Sequence, residues 1–192
     1  VLDEHPVSIQ VNGQWQTFPN AKAAEEASYE EYKANLRRNA KNFRITDEHL
    51  GEGGPKAKFQ ANINAIRLLK ELEVVGQQAS PEQQEVLSRY VGWGGLADAF
   101  DPEKPAWALE YAQLKELLTP EEYAAARSST LNAHYTSPTV IQAIYEAVGR
   151  MGFETGNILE PSMGVGNFFG MLPEKMRNSR LYGVELDPVS GR

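Results

Sequence analysis

Apolar and polar positions alternate along residues 7–18, with Val7, Ile9 and Val11 before Asn12-Gly13 and Trp15 and Phe18 after it. A period of two broken by Asn-Gly predicts a β-hairpin closed by a type I′ turn. The period then lengthens. Asn20 reads as the cap of a helix running to about Lys41, with Tyr29, Tyr32 and Leu36 on one stripe and Arg37, Arg38 and Lys41 on a solvated face. A loop containing Gly51-Glu52-Gly53-Gly54 follows. Pro55 then suits the first turn of a helix that carries Ile63, Ile66, Leu69 and Leu72.

Three further helix starts are written in the same way. Ser80-Pro81-Glu82-Gln83 and Thr119-Pro120-Glu121-Glu122 each supply a cap, a proline in the first turn and a residue able to close a capping box. Ser137-Pro138 opens a third helix, with Val140, Ile141, Ile144 and Val148 as its expected buried face. Tyr90-Val91-Gly92-Trp93-Gly94-Gly95 reads as a helix terminator, with Trp93 plugging a junction between helices, and another helix is expected at about Pro105–Leu118. Beyond about residue 130 the order becomes helix, apolar strand (157–160), glycine loop, short helix and second strand (180–185). That order opens a doubly wound α/β sheet. The expected organisation is a mainly helical accessory region with a short N-terminal hairpin (1–129), then the start of an α/β domain (130–192).

Composition narrows the function classes. The 192 residues carry a net charge of −7, which disfavours a segment that grips duplex DNA unaided, because such affinity comes largely from phosphate contacts. No run approaches the ~20 apolar residues of a membrane span, so no membrane partner is expected. There are no cysteines, which excludes disulfides and suits a reducing cytoplasm. His5, His49 and His134 have no metal-ligand spacing, and no metal site is expected. Gly51–Lys58 lacks the spacing of a phosphate loop. A plain turn is the simpler reading there, although a backbone nest beside Lys56 and Lys58 is a second one.

The segment that carries chemistry is Glu160-Pro161-Ser162-Met163-Gly164-Val165-Gly166-Asn167-Phe168. A strand ends at Glu160, and glycines at 164 and 166 permit a sharp turn and a close ligand. Ligands of open α/β sheets sit at such strand ends. Nineteen residues after Gly166, the second strand ends in Glu185-Leu186-Asp187, which places a carboxylate to accept from ribose hydroxyls. A dinucleotide site wants a third glycine at position 169, where this chain has Phe169, and Glu160 would repel a pyrophosphate. A cofactor with a cationic amino-acid part, S-adenosylmethionine, fits better than NAD. Glu160 can alternatively cap backbone amides. Tyr135 and Thr136 can alternatively pack and cap the helix at Ser137, and Phe168 wedges under the loop in either case.

These residues resemble a family. Glu160–Phe168 is similar to motif I (E-P-S-x-G-x-G-x-F) of the N6-adenine DNA methyltransferases, Tyr135-Thr136-Ser137-Pro138 to the motif that precedes it in the gamma class, and Tyr182–Asp187 to motif II. The family has Ala or Cys where this chain has Met163, and often Ser or Thr at Val165. The resemblance implies a Rossmann-like methyltransferase fold and S-adenosyl-L-methionine as cofactor. It implies cofactor contacts from Tyr135, Thr136, Glu160, Pro161, Ser162, Gly164, Gly166, Asn167, Phe168, Glu185, Leu186 and Asp187. Upstream, Asn42–Thr46, Gly51–Lys56 and Tyr90–Leu96 resemble segments before the methylase in very large bacterial helicase–methyltransferase fusions of mobile elements. That implies DNA as partner of the intact parent, and a helicase domain further along its chain. The family's Asn/Asp-Pro-Pro-Tyr/Phe loop is missing, since there is no Pro-Pro dipeptide. The expectation is therefore a methyltransferase fragment with no catalytic residue of its own and no activity alone. A non-enzymatic docking module with a vestigial pocket is the alternative.

Overall fold

The computed structural model describes the backbone of residues 5–11, 13–39 and 43–192, and their side chains except those of 32–39. Asn12 of the expected turn, Lys41, Asn42 and the side chains of Tyr32, Leu36, Arg37 and Arg38 lie outside the described residues. The chain divides into two compact units, Val1–Lys41 and Asn42–Arg192.

In the first unit, β1 (Val7–Val11) pairs antiparallel with β2 (Gln14–Phe18), Val11 opposite Gln14, as the alternation requires. Gly13 has φ +75°, a conformation that favours glycine. The register puts Phe18 opposite Val7 but Trp15 opposite Gln10. Odd and even positions take opposite faces, so Trp15 leaves the Val7–Ile9–Val11 face and stands 71% exposed. Helix α1 (Ala21–Asn39) starts where Asn20 Oδ1 accepts the Ala23 N–H at 2.8 Å. Ala24 is its buried contact, whereas Tyr29 of the expected stripe is exposed.

The second unit is built around α2 (Pro55–Val75), whose Phe59, Ile63 and Ile66 are fully buried. Around it pack α3 (Pro81–Ser88), α4 (Ala108–Leu117, entered through a 3-10 turn at Pro105–Trp107) and α5 (Pro120–Ser129). Both expected capping boxes form, Ser80 with Gln83 and Thr119 with Glu122. Trp93 is the plug: it is 1% exposed and meets Phe59, Tyr90 and Phe100 edge to face at 5.3–6.2 Å between ring centres. Lys56 is also committed to the fold, since its ammonium pairs with Glu110, reaches the Ala106 carbonyl and sits 4.0 Å over the Trp107 ring. The Gly51–Gly54 segment is a turn with positive φ at Gly51 and Gly53.

A second, smaller core joins α6 (Pro138–Arg150) to the parallel pair β3 (Asn157–Glu160) and β4 (Arg180–Gly183). Helix α7 (Asn167–Gly170) lies in the connection between these strands. The start of α6 is where Ser137-Pro138 predicts it, but the Ser137 side chain makes no cap bond. The expected buried face needs correction. Ile141 and Tyr145 are buried, while Val140 and Ile144 are 48% and 41% exposed. At about 100° per residue, Tyr145 falls about 40° from Ile141 on one side, and Ile144 and Val140 about 60° and 100° on the other. One face of the strand pair, through Ile158 and Leu181, packs on this core, and Leu159, Tyr182 and Val184 are exposed.

The fold is mixed helix and small sheet, compatible with α/β. Packing does not divide at residue 130. The larger core runs from Phe59 to Val189, and Arg192 pairs with Glu73 of α2 and Glu122 of α5. Among the described residues, no helix is long and apolar enough to cross a membrane.

Candidate functional site

Where β3 ends, the chain turns out of the sheet and is stitched to its neighbour. Val184 N–H donates to the Glu160 carbonyl, Met163 N–H to the Val184 carbonyl and Gly166 N–H to the Met163 carbonyl. Gly164 (φ +56°) and Gly166 (φ +82°) supply the left-handed residues that this turn needs, and Gly166 then caps α7. Gly164 N–H donates to Glu185 Oε2 at 2.7 Å, so the glycine loop and the tip of the second strand are directly joined.

The expected explanation for Gly164 changes. A Cβ there would lie 2.6 Å from Tyr135 Cε1 and 2.8 Å from its Cζ. The missing side chain makes room for the Tyr135 ring rather than for a ligand. Burial pushes the Tyr135 hydroxyl up to about 12, against its hydrogen bond to Ser190 and with the help of the Glu185 and Asp187 charges. It therefore stays protonated at neutral pH, donating to Ser190 Oγ at 3.1 Å.

The loop forms one wall of a cleft of about 440 Å³. Of the residues singled out in the sequence, Tyr135, Thr136, Glu160, Ser162, Gly164, Asn167, Phe168, Glu185, Leu186 and Asp187 all line it. Pro161 is exposed outside it, at the start of the turn. Gly166 faces the other way, into a cavity of about 270 Å³ behind the loop that Met163 and Val165 also line. Val165 packs on the larger core. Met163 spans both spaces, with its sulfur where a side chain at Gly183 would be. The large residue in the loop is thus matched by a glycine in β4. Phe168 wedges under the loop, edge to face with Tyr145, whose hydroxyl donates to the Phe168 carbonyl at 2.7 Å.

The opposite wall comes from residues that sequence reading left outside the site: Tyr90 and Gly92, Ser128 and Ser129 at the end of α5, and Asn132 and His134. Tyr90 and Gly92 belong to a segment visible in the sequence as a helix terminator. Its place against the glycine loop is a tertiary fact without a local signal.

The polar character of the cleft is one-sided. Its lining includes Glu160, Glu185 and Asp187 but no Lys or Arg. Glu185 is held by two backbone donors, Gly164 N–H and Asp187 N–H, each at 2.7 Å. Asp187 Oδ1 accepts from Val189 N–H, Ser190 N–H and Ser190 Oγ. Glu160 is half-buried, and no hydrogen bond or ion pair holds its carboxylate among the described residues, so it does not cap the loop amides. Asn167 is 7% exposed, and its side-chain oxygen is buried without a partner. A buried acceptor left in this way costs about 1–3 kcal/mol, so it marks a place where a donor belongs. Arranged like this, the cleft can hold a ligand that offers hydroxyl donors at Glu185 and a cationic donor at Glu160. The residues therefore fit S-adenosylmethionine. They do not suit a pyrophosphate, which needs cations or free amides. Among the described residues, no group of three or more His, Cys, Asp or Glu side chains is placed to hold a metal ion.

Over 56 residues the chain is 39% identical to the type II methyltransferase M.CvrRI of Paramecium bursaria Chlorella virus XZ-6E, a match covering 29% of this chain and 14% of that protein. Over 142 residues it is 25% identical to the Defense against restriction protein B of Escherichia phage P1, covering 74% of this chain and 5% of that protein. The chain therefore spans only a small part of the length of either relative. No family model matches, and no solved structure matches. The similarity reaches a methyltransferase, over a minor share of this chain.

Proposed function

We propose that the cleft binds S-adenosyl-L-methionine, and that this chain is the cofactor-holding part of a methyltransferase acting on the exocyclic N6 of adenine in DNA. One observation carries the reading. The three segments that resemble methyltransferase motifs line a single cleft that, among the described residues, carries the carboxylates of Glu160, Glu185 and Asp187 and no Lys or Arg. The partial similarity to a type II methyltransferase supports it.

In this reading Glu185 receives the ribose hydroxyls. Its two backbone hydrogen bonds fix the carboxylate and leave lone pairs for a diol. Leu186, 97% exposed beside it, offers an apolar face to the adenine ring. Glu160 accepts from the amino-acid ammonium. Tyr135 and Thr136 close the methionine end, and Phe168 supports the loop from below. When bound, the cofactor supplies a methyl group already activated on a sulfonium. The work of these residues is to hold and orient it. The sequence has no Asn/Asp-Pro-Pro-aromatic segment to seat a flipped base, so we assign this chain no methyl transfer of its own. Residues 130–192 would be the start of the methyltransferase domain. The parent would be a large cytoplasmic bacterial protein of a mobile element, with DNA as its substrate and a helicase domain in the same chain. The similarity to a phage protein of much greater length supports only the large size of that parent.

Calorimetric titration with S-adenosylhomocysteine tests the reading. Binding that Glu185→Ala and Glu160→Gln both weaken is expected. A folded wild-type chain that does not bind, or that binds NAD instead, refutes it.

A further inference from the structure

Helix α2 lies more than 60 residues before the glycine loop, yet a chain of contacts joins the two. Asn62 of α2 is fully buried. Its amide donates to the Gly92 carbonyl at 2.6 Å and accepts the Val91 N–H at 2.9 Å, pinning that segment to the helix. Gly92 has φ +69°, and a Cβ on it would lie 2.5 Å from Tyr135 Cε2. The Tyr135 ring therefore lies between two glycines, Gly92 from the helical part and Gly164 from the glycine loop. Tyr90 stands edge to face with it, 5.9 Å between centres. The Tyr135 hydroxyl continues the chain to Ser190 and on to Asp187.

A fully buried Asn costs free energy unless its amide is satisfied, and both of its bonds here go to the one segment that lies against Tyr135. Resting on the proposal that the cleft holds S-adenosylmethionine, we infer that Asn62 is a positioning residue for the cofactor site. It acts through Gly92 to set the Tyr135 ring against Gly164. The helices of residues 43–129 are on this view part of the cofactor-binding unit and not an appendage to it.

The test uses the full chain carrying Asn62→Leu, which loses both bonds, or Asn62→Ser, which is too short to reach the Gly92 carbonyl but small enough to fold. Asn64→Ala, on the exposed side of α2, is the control. Two quantities are read. The first is S-adenosylhomocysteine affinity by calorimetry. The second is the flip rate of the Tyr135 ring by NMR of ring-labelled tyrosine, assigned with Tyr135→Phe. A ring packed this closely flips slowly in the wild type. Loss of one or two buried hydrogen bonds predicts affinity lower by about five- to thirtyfold, with faster Tyr135 flipping, in the Asn62 variants alone. Unchanged affinity in a folded Asn62 variant overturns the inference. So does weakened affinity with an unchanged Tyr135 ring. If the wild type binds no cofactor, the underlying reading fails, and the ring measurement still reports whether Asn62 seats Tyr135.

Discussion

Replacing Gly164 by alanine isolates the most constrained point of the site. Two costs add. At φ +56° a residue with a Cβ carries about 1–2 kcal/mol of backbone strain. The new methyl would also stand 2.6, 2.8 and 3.0 Å from Tyr135 Cε1, Cζ and Oη. At its other edge the ring lies beside Gly92, where a Cβ would stand 2.5 Å from Cε2. Overpacking of this kind costs about 1–3 kcal/mol. The sum is about 2–5 kcal/mol. At about 2–4 °C per kcal/mol for a chain of this size, the melting temperature should fall by about 4–20 °C. Urea unfolding with Tyr135→Leu in a double-mutant cycle separates the two parts. The packing share, about 1–3 kcal/mol, should vanish when the ring is gone, and the strain should stay. A Gly164→Ala chain within about 0.5 kcal/mol of wild type, or costs that simply add in the double variant, would refute the account of why glycine stands there.

Other expectations follow from neighbouring contacts. Burial raises the Glu122 carboxyl, but hydrogen bonds from Lys70, the Thr119 backbone and Arg192 outweigh it and leave the group below its ordinary value of 4.5. Its stabilising share is therefore present above pH 4.5 and lost as pH falls through the depressed folded value. Glu122→Gln should cost about 1–3 kcal/mol at neutral pH and flatten the acid limb of a stability–pH curve. Asn167→Leu removes the unpartnered buried oxygen, so thermal stability should hold or rise. A marked loss of stability would mean that the amide serves the fold. Trp93→Ala should lower stability by about 3–5 kcal/mol in urea unfolding, since the ring is the meeting point of Phe59, Tyr90 and Phe100.

The parts of the fold that were readable in advance rest on short-range physics. Ser80, Thr119 and Asn20 announce helix starts because a cap reaches only two or three residues along the chain, and the hairpin is legible because its two strands, Val7–Val11 and Gln14–Phe18, nearly adjoin in sequence. Errors arise where the third dimension chooses between equally apolar faces. Nothing within α6 says that Ile141 and Tyr145 go inward while Val140 and Ile144 do not, because that depends on where β3 and β4 lie. Trp15 stands exposed for a simpler reason, one step of parity along β2.

The candidate site divides in the same way. The sequence by itself determined the glycine loop and the carboxylates at two strand tips, because turn geometry and strand ends are local properties of Glu160–Phe168 and Tyr182–Asp187. Only the tertiary structure decided that Gly164 makes room for Tyr135, that Met163 is matched by Gly183, and that Gly92, held by Asn62, closes the far side of that ring. Those relations join residues between 20 and 43 positions apart. Distances of that kind are set by close packing of whole elements, which no local pattern of polar and apolar residues encodes.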